Sequence, residues 1–562
     1  MKKQCSPKLF IIANVLLILN TLLFWSIRSM WSGIIAIAGK PIPYVLMAVL
    51  ATVTLVTSIC TLYKKHYLSL AIFDAVLDFI FLGLLGYMLS VTQDSWQYFV
   101  REFLWGAAFL GTILLIVFLI FYSSKINWLQ SKWLPPVIGI LLFVIAFLNI
   151  YDIQLINGIE KTPVVYAVED TYQITFTTAA KGEAWVVIDG VEYNDTYAGY
   201  RKSENTIHKI TVPASALDSA DSYTVYTRAM YLRGPYCALQ GSTISKTYNW
   251  RGVDTSDGIQ YYAISDNHLT TKTTSDAANY WGDKLDFLIS LGDTANWIDS
   301  ENELKLLLHL ASDVTKGEIP VIYARGNHET KGIVADEYHN YVSSKNENFY
   351  FTFRIKNIWG IVLDVGEDHE DSHWEFSDMA RFDSYRTELL AFLDEVIANA
   401  DNEYNADGVD YRIGLCHIPI TFVQKEDPLM EQKFVWVERL NQMNLNIMYS
   451  GHRHELMFAE ANQEAGSEFT VTAEYNGSDN NPKTYIMSNA NFPTILVSKR
   501  GQSQLYSEKE NVFGKYFIGV AASSEGDATI LKYTNESGEI IKTVSPWLEG
   551  VDYGEEIRVN NK

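Results

Sequence analysis

The chain has 562 residues and a formal net charge of −22, a length that admits several domains. The charge is uneven: residues 1–155 hold ten Lys/Arg against five Asp/Glu, which leaves residues 156–562 at −27. An acidic half without a basic stripe excludes a nucleic-acid scaffold, and four Cys exclude a disulfide-dense fold.

Residues 1–155 contain five apolar runs, near Leu9–Ile27, Pro43–Tyr63, Leu68–Val91, Phe103–Tyr122 and Leu134–Tyr151. Each is close to the roughly 20 residues that a helix needs to cross a bilayer. The first follows Lys2, Lys3 and Lys8 but has no small-residue cleavage site, so it is expected to be retained. Seven Lys/Arg in the N-terminus and alternate loops, against three in the others, place the N-terminus inside the cell. Five spans then put the remainder outside a bacterial cell membrane. Asp74 and Asp78, four apart in the third run, read as polar contacts within the helical bundle.

Residues 156–252 change to short alternating strands, as in "YQITFTTAAKGEAWVVIDGVEY", with Gly182 and Asp189-Gly190 as turn signals. They are expected to form an all-β, fibronectin- or immunoglobulin-like sandwich that spaces the membrane from the rest of the chain.

From residue 253 to 500 apolar strands alternate with helices, among them one opened by Ser300-Glu301-Asn302-Glu303, a capping-box pattern. Five strand ends carry ligand-type residues. "IQYYAIS" runs into Asp266-Asn267-His268, "LDFLIS" into Gly292-Asp293, "IPVIYA" into Arg325-Gly326-Asn327-His328-Glu329, "YRIGLC" into His417, and "LNIMYS" into Gly451-His452-Arg453-His454. In an α/β fold the carboxyl ends of strands are where ligands collect. Glycines ahead of Asp293, Asn327 and His452 allow close backbone approach. One bridging carboxylate with imidazole, amide and carboxylate around it describes a two-metal site. Residues 501–562 return to strands and are expected to complete or cap this domain.

The ordered set Asp266-x-His268, Gly292-Asp293-x-x-Asn296, Gly326-Asn327-His328-Glu329, His417 and Gly451-His452-x-His454 resembles the calcineurin-like metallophosphoesterases. The Gly-Asn-His-Glu block behind a fibronectin-like segment is closest to their purple-acid-phosphatase-like branch. That branch carries Tyr where this chain has Asn296, and lacks the His found here as His268, so no iron–tyrosinate colour is expected.

The resemblance implies a four-layer α/β sandwich of two mixed sheets flanked by helices. It also implies two metal ions (Mn, Fe or Zn), one held by Asp266, His268, Asp293 and His454, the other by Asp293, Asn327, His417 and His452. A hydroxide bridging them would attack a phosphate monoester while His328 acts as general acid. Asn296 and Glu329 would stand behind the ligands, and Arg325, just ahead of the motif, would support the loop or meet phosphate. A phosphodiesterase or pyrophosphatase of the envelope is the alternative within this chemistry, and a membrane sensor that binds without turnover the alternative outside it. His369 and His373 read as a solvated rim, and Cys416 as a small buried residue.

Overall fold

The computed structural model describes residues 157–562 apart from 234–237, 377–378, 455, 472–482, 498, 501–516, 542 and 545–551. The five expected spans lie outside the described residues. Among the described residues no helix is long and apolar enough to cross a membrane.

In chain order the strands and helices that matter for the site are β1 (Val164–Val168), β2 (Thr171–Ile188), β3 (Asn205–Pro213), β4 (Ser222–Arg233), β5 (Ile244–Asn249), β6 (Ile259–Ile264), α1 (Thr271–Ala278), β7 (Phe287–Ser290), α2 (Glu301–Thr315), β8 (Pro320–Tyr323), β9 (Phe351–Ile355), β10 (Ile358–Leu363), α3 (Phe382–Ala398), β11 (Tyr411–Cys416), α4 (Met430–Leu440), β12 (Ile447–Ser450), β13 (Thr494–Leu496), β14 (Phe517–Glu525) and β15 (Ala528–Asn535). One sheet runs β15–β14–β6–β7–β8–β1–β2–β4, with β6, β7, β8 and β1 parallel. The other runs β9–β10–β11–β12–β13, parallel from β10 onward.

Side-chain alternation along these strands builds the layers. In β6, Tyr261 and Ala263 face the opposing sheet while Tyr262 and Ile264 face the helices, as the two-residue period of a strand requires. Between the sheets, Phe287, Ile289 and Ile322 meet Phe353, Ile413, Leu415 and Tyr449. Outside the first sheet, Leu304, Leu307, Leu308 and Ala311 of α2 cover Leu288 and Val321. Outside the second, Leu389 and Leu393 of α3 and Trp436 and Val437 of α4 cover Trp359, Ile361 and Met448. This is the expected four-layer α/β sandwich. Polar groups in the central layer satisfy each other: the Tyr261 hydroxyl lies 2.9 Å from that of Tyr411 and 2.6 Å from that of Tyr449.

Two expectations about the segment before residue 253 need correction. Its strands do not stand apart as a sandwich. β1 pairs in parallel with β8, through Val165 opposite Pro320 and Tyr166 opposite Val321, and antiparallel with β2. Val165, Ile174, Phe176 and Val225 belong to the same apolar core that lies between the two sheets. The physical reason is that β8 would otherwise be an open sheet edge, and the apolar β1, buried at all five positions, closes it. Gly182, in turn, is not a turn residue but lies inside β2 at a register shift against β3, where a Cβ would collide with the Arg228 carbonyl. Asp189-Gly190, both at positive φ, do form a two-residue hairpin, with Ile188 opposite Val191.

The strands after residue 501 finish the first sheet: β14 lies antiparallel to β6, and β15 beside it. Because β1 closes the β8 edge, a chain starting at residue 253 is expected to expose that edge and aggregate, whereas residues 157–562 stay soluble. Circular dichroism and sedimentation of the two fragments check this.

Candidate metal centre

The carboxyl ends of β6, β7, β8, β10, β11 and β12 meet at one edge of the sandwich, and the side chains delivered there converge. Three overlapping groups have ligand atoms within 4.8 Å of one another: Asp266, His268 and His454; His268, Asp293 and His328; Asp293, His417 and His452. Asp266 Oδ1 lies 3.2 Å from His454 Nε2, whose ring nitrogen is 3.3 Å from His268 Nε2. Asp293 Oδ2 lies 3.2 Å from His417 Nε2 and 3.7 Å from His268 Nε2, between the groups. The Asn327 side-chain oxygen lies 3.2 Å from His417 Nε2 and 3.0 Å from His452 Nδ1. All seven expected ligands are therefore brought together.

The backbone is bent to achieve this. Asp266, His268, Asp293, His452 and His454 have φ of +53°, +41°, +54°, +70° and +55°, a region that L-residues avoid at a cost of roughly 1–3 kcal/mol each and that clusters at functional sites. The glycines serve loop-to-loop approach. A Cβ on Gly292 would strike the Gly326 backbone, and one on Gly451 would strike Ser265 and Asp266.

Charge is concentrated here away from the surface. Burial works against ionisation of Asp266 and Asp293. The imidazoles of His454 and His417 beside Asp266, and of His417 and His328 beside Asp293, outweigh it and hold both carboxyls well below the usual range. For His417 burial opposes protonation, but Asp293 and Asp266 push its imidazole up to about 10. Such a set of oxygens and imidazoles, drawn together with no apolar filling, fits a divalent cation of the Mn, Fe or Zn type.

Behind the ligands stands a layer of hydrogen bonds. His417 Nδ1 donates to the Leu291 carbonyl, which leaves Nε2 toward the centre. The Asn296 side-chain oxygen lies 2.8 Å from His268 Nδ1, and its carbonyl oxygen 2.8 Å from His328 Nδ1. Glu329 is buried and accepts the backbone N–H groups of Asp293, Thr294 and Gly326. Burial, and then Asp293, push its carboxyl up to about 7.

Asn296 and Glu329 thus lie behind the converging Asp, Asn and His side chains. Arg325 is held elsewhere: its guanidinium is 2.6 Å from Asp364 and lies over the Phe349 ring at 4.3 Å. It braces the loop from beneath. His369 and His373 stack at 4.1 Å on the rim. Cys416 is a buried free thiol, pushed up by burial; Cys237 lies outside the described residues. His309 packs against Thr177, remote from the centre.

Two residues at the centre were not expected from the sequence. Glu367 Oε1 accepts from Asn327 Nδ2 at 2.9 Å, and Asp368 Oδ2 lies 3.1 Å from His452 Nε2. The signal was present, since "IWGIVLDVGED" is a sixth strand running into acidic residues, but the histidines after it are the more conspicuous ligand type.

Residues 259–456 match the calcineurin-like phosphoesterase family model. They form a calcineurin-like phosphoesterase domain. The protein is a metal-dependent phosphoester hydrolase. No curated protein matches the chain. Among solved structures, the chain is similar to a purple acid phosphatase from yellow lupin (Lupinus luteus) seeds, with 11% identity, 72% of this chain and 74% of that one covered, and a TM-score of 0.41. It is also similar to PhoD, with 10% identity, 71% and 92% covered, and a TM-score of 0.38. A third is GAP50, the anchor in the inner membrane complex of Plasmodium, with 11% identity, 55% and 90% covered, and a TM-score of 0.30.

In the phosphoesterase domain a cation must displace the proton that His417 holds below about pH 10. Metal affinity is therefore expected to rise with pH, up to tenfold per unit between about pH 6 and 9 for one displaced proton. Calorimetric Mn²⁺ titrations in two buffers of different ionisation enthalpy should register that proton's release.

Proposed function

We propose that the chain is a membrane-anchored phosphatase that holds two metal ions and hydrolyses phosphate monoesters outside the cytoplasm. The observation that carries the two-metal reading is the position of Asp293, whose Oδ2 lies within 3.2 Å of His417 on one side and 3.7 Å of His268 on the other. Asp266, His268, Asp293 and His454 would hold one ion, and Asp293, Asn327, His417 and His452 the other. When bound, such a pair acidifies water and stabilises charge on the phosphoryl oxygens.

His328 would have a different task. Its Nε2 is 3.9 Å from Asp293, and its side chain is about one-third exposed, so it faces the open side of the site. With Nδ1 donating to the Asn296 carbonyl, Nε2 is the ring nitrogen left to offer a proton to a leaving oxygen. Asn296 fixes the ring through its carbonyl and His268 through its amide oxygen, which sets the two imidazoles against one another at 4.8 Å, edge to face.

The five apolar runs of residues 1–155 support anchoring in the bilayer, and their Lys/Arg distribution supports an external catalytic domain. The family match supports ester hydrolysis, and the resemblance to the purple-acid-phosphatase-like branch favours monoesters over diesters or pyrophosphates.

Full-length protein in detergent should hydrolyse p-nitrophenyl phosphate faster than bis-p-nitrophenyl phosphate, with turnover supported by Mn²⁺ or Zn²⁺ and abolished by chelator. Absence of chelator-sensitive turnover of either ester would sink the enzyme reading, and preference for the diester would reverse the substrate class. His328→Ala is expected to keep its metal and lose about 10²–10⁴-fold in kcat; metal analysis showing a lost ion would make His328 a ligand instead. Protease added to intact cells should release the soluble half, and full protection would reverse the orientation.

A further inference from the structure

An asparagine that ligates a cation must present its oxygen, yet its amide is nearly symmetric in shape. Nothing in the covalent structure of Asn327 decides which end faces the centre. The structure decides it from the other sheet. Glu367, on the loop after β10 and 1% exposed on its side chain, takes the Asn327 Nδ2 hydrogen at 2.9 Å. An ionised carboxylate can only accept, so it selects the nitrogen end and turns the oxygen toward His417 and His452.

The same Glu367 oxygen lies 2.8 Å from Lys331 Nζ. Asn327 and Lys331 bracket the single turn His328–Thr330. One buried oxygen therefore clamps both ends of the turn that carries His328. The clamp is itself rigid: Arg386 of α3, fully buried, donates from its guanidinium to the carbonyls of Val365 at 3.2 Å, Glu367 at 3.0 Å and His369 at 2.7 Å. It is tied in turn to Asp383 at 2.6 Å.

We infer that Glu367 is a positioning residue that fixes the amide of Asn327 oxygen-inward, and with it the metal affinity of the Asn327–His417–His452 side of the site. The inference rests on the proposed role of Asn327 as a ligand, and it makes a prediction that bulk packing would not. A carboxylate at position 327 has no wrong end. Asn327→Asp alone sets two carboxylates against each other across 2.9 Å and weakens binding. Glu367→Leu alone frees the amide to flip and weakens binding. Combined, the two changes remove both faults.

The test is calorimetric titration of full-length, metal-stripped protein with Mn²⁺, alongside thermal melts. Glu367→Leu is expected to lose about 10–100-fold in affinity at one site, Asn327→Asp to lose affinity as well, and the double variant to recover to within about threefold of wild type. Glu367→Gln, whose amide can offer either an acceptor or a donor, is expected to fall between wild type and Glu367→Leu, and it carries the test if the Leu variant fails to fold. A folded Glu367→Leu or Glu367→Gln protein with wild-type affinity overturns the inference, and so does a double variant no better than the worse single one. If wild-type protein binds no Mn²⁺, the metal reading falls and this inference with it; wild-type binding with an indifferent position 367 overturns the inference alone.

Discussion

Two buried carboxylates, Asp266 and Asp293, with 0% and 1% of their surface exposed, set the terms for everything around them. A charge in such a place is tolerated only if it is paired and hydrogen-bonded. Here the pairing comes from imidazoles arriving on other strands, and the hydrogen bonds from the backbone: His452 N–H donates to Asp266 at 2.9 Å, and His328 N–H to Asp293 at 3.0 Å. The positive φ values, the facing glycines and the inward imidazoles all follow from that requirement. A cation answers it more completely than protonated histidines can, which is why the metal centre and the fold of these loops are one problem.

The loops are held from both sides of the sandwich. On the β7–β8 side, Glu329 gathers three backbone N–H groups and pins the Asp293 loop to the Gly326 turn. Across the centre, Glu367 and Asp368 hold Asn327 and His452 from the loop after β10. The Asp293, Asn327 and His452 loops are thus each tied by a carboxylate arriving from another strand end. Arg325, tied to Asp364 at the end of β10, adds a brace between the two sheets close beneath the site.

How much of this the sequence disclosed depends on the range of the interaction. The side chains that converge here were legible because each is written locally, as a strand followed by Asp-x-His, Gly-Asp, Gly-Asn-His, His or Gly-His-x-His, and five such endings cannot all be chance turns. Asn296 and Glu329 were legible for the same reason, lying within three residues of a ligand. Glu367 was not, because its partner Asn327 is 40 residues away and nothing in "GEDHED" marks which acid turns inward. Arg325 stood next to the motif with loop support and phosphate contact both open, because its partner Asp364 lies on the other sheet. The independence expected of residues 156–252 failed for the same cause. Alternation identifies β1 as a strand but carries no information about the strand it will pair with, and Gly182 looks the same in a turn as in a strand crossed closely by a neighbour.

The parallel pairing of β1 with β8 has a consequence for biosynthesis. Val165 and its partner Pro320 are 155 positions apart, an interval that a ribosome covers on the order of ten seconds. During that time β1 can pair with β2, but its other edge, the sequence Val-Val-Tyr-Ala-Val, has no native partner. A short, uncharged, β-prone strand with one open edge is the kind of surface on which chains cross-associate. The nascent protein must pass through this exposed state before the strand that leads to Asn327 and His328 exists to cover it, so yield and activity are coupled through the same pair of strands.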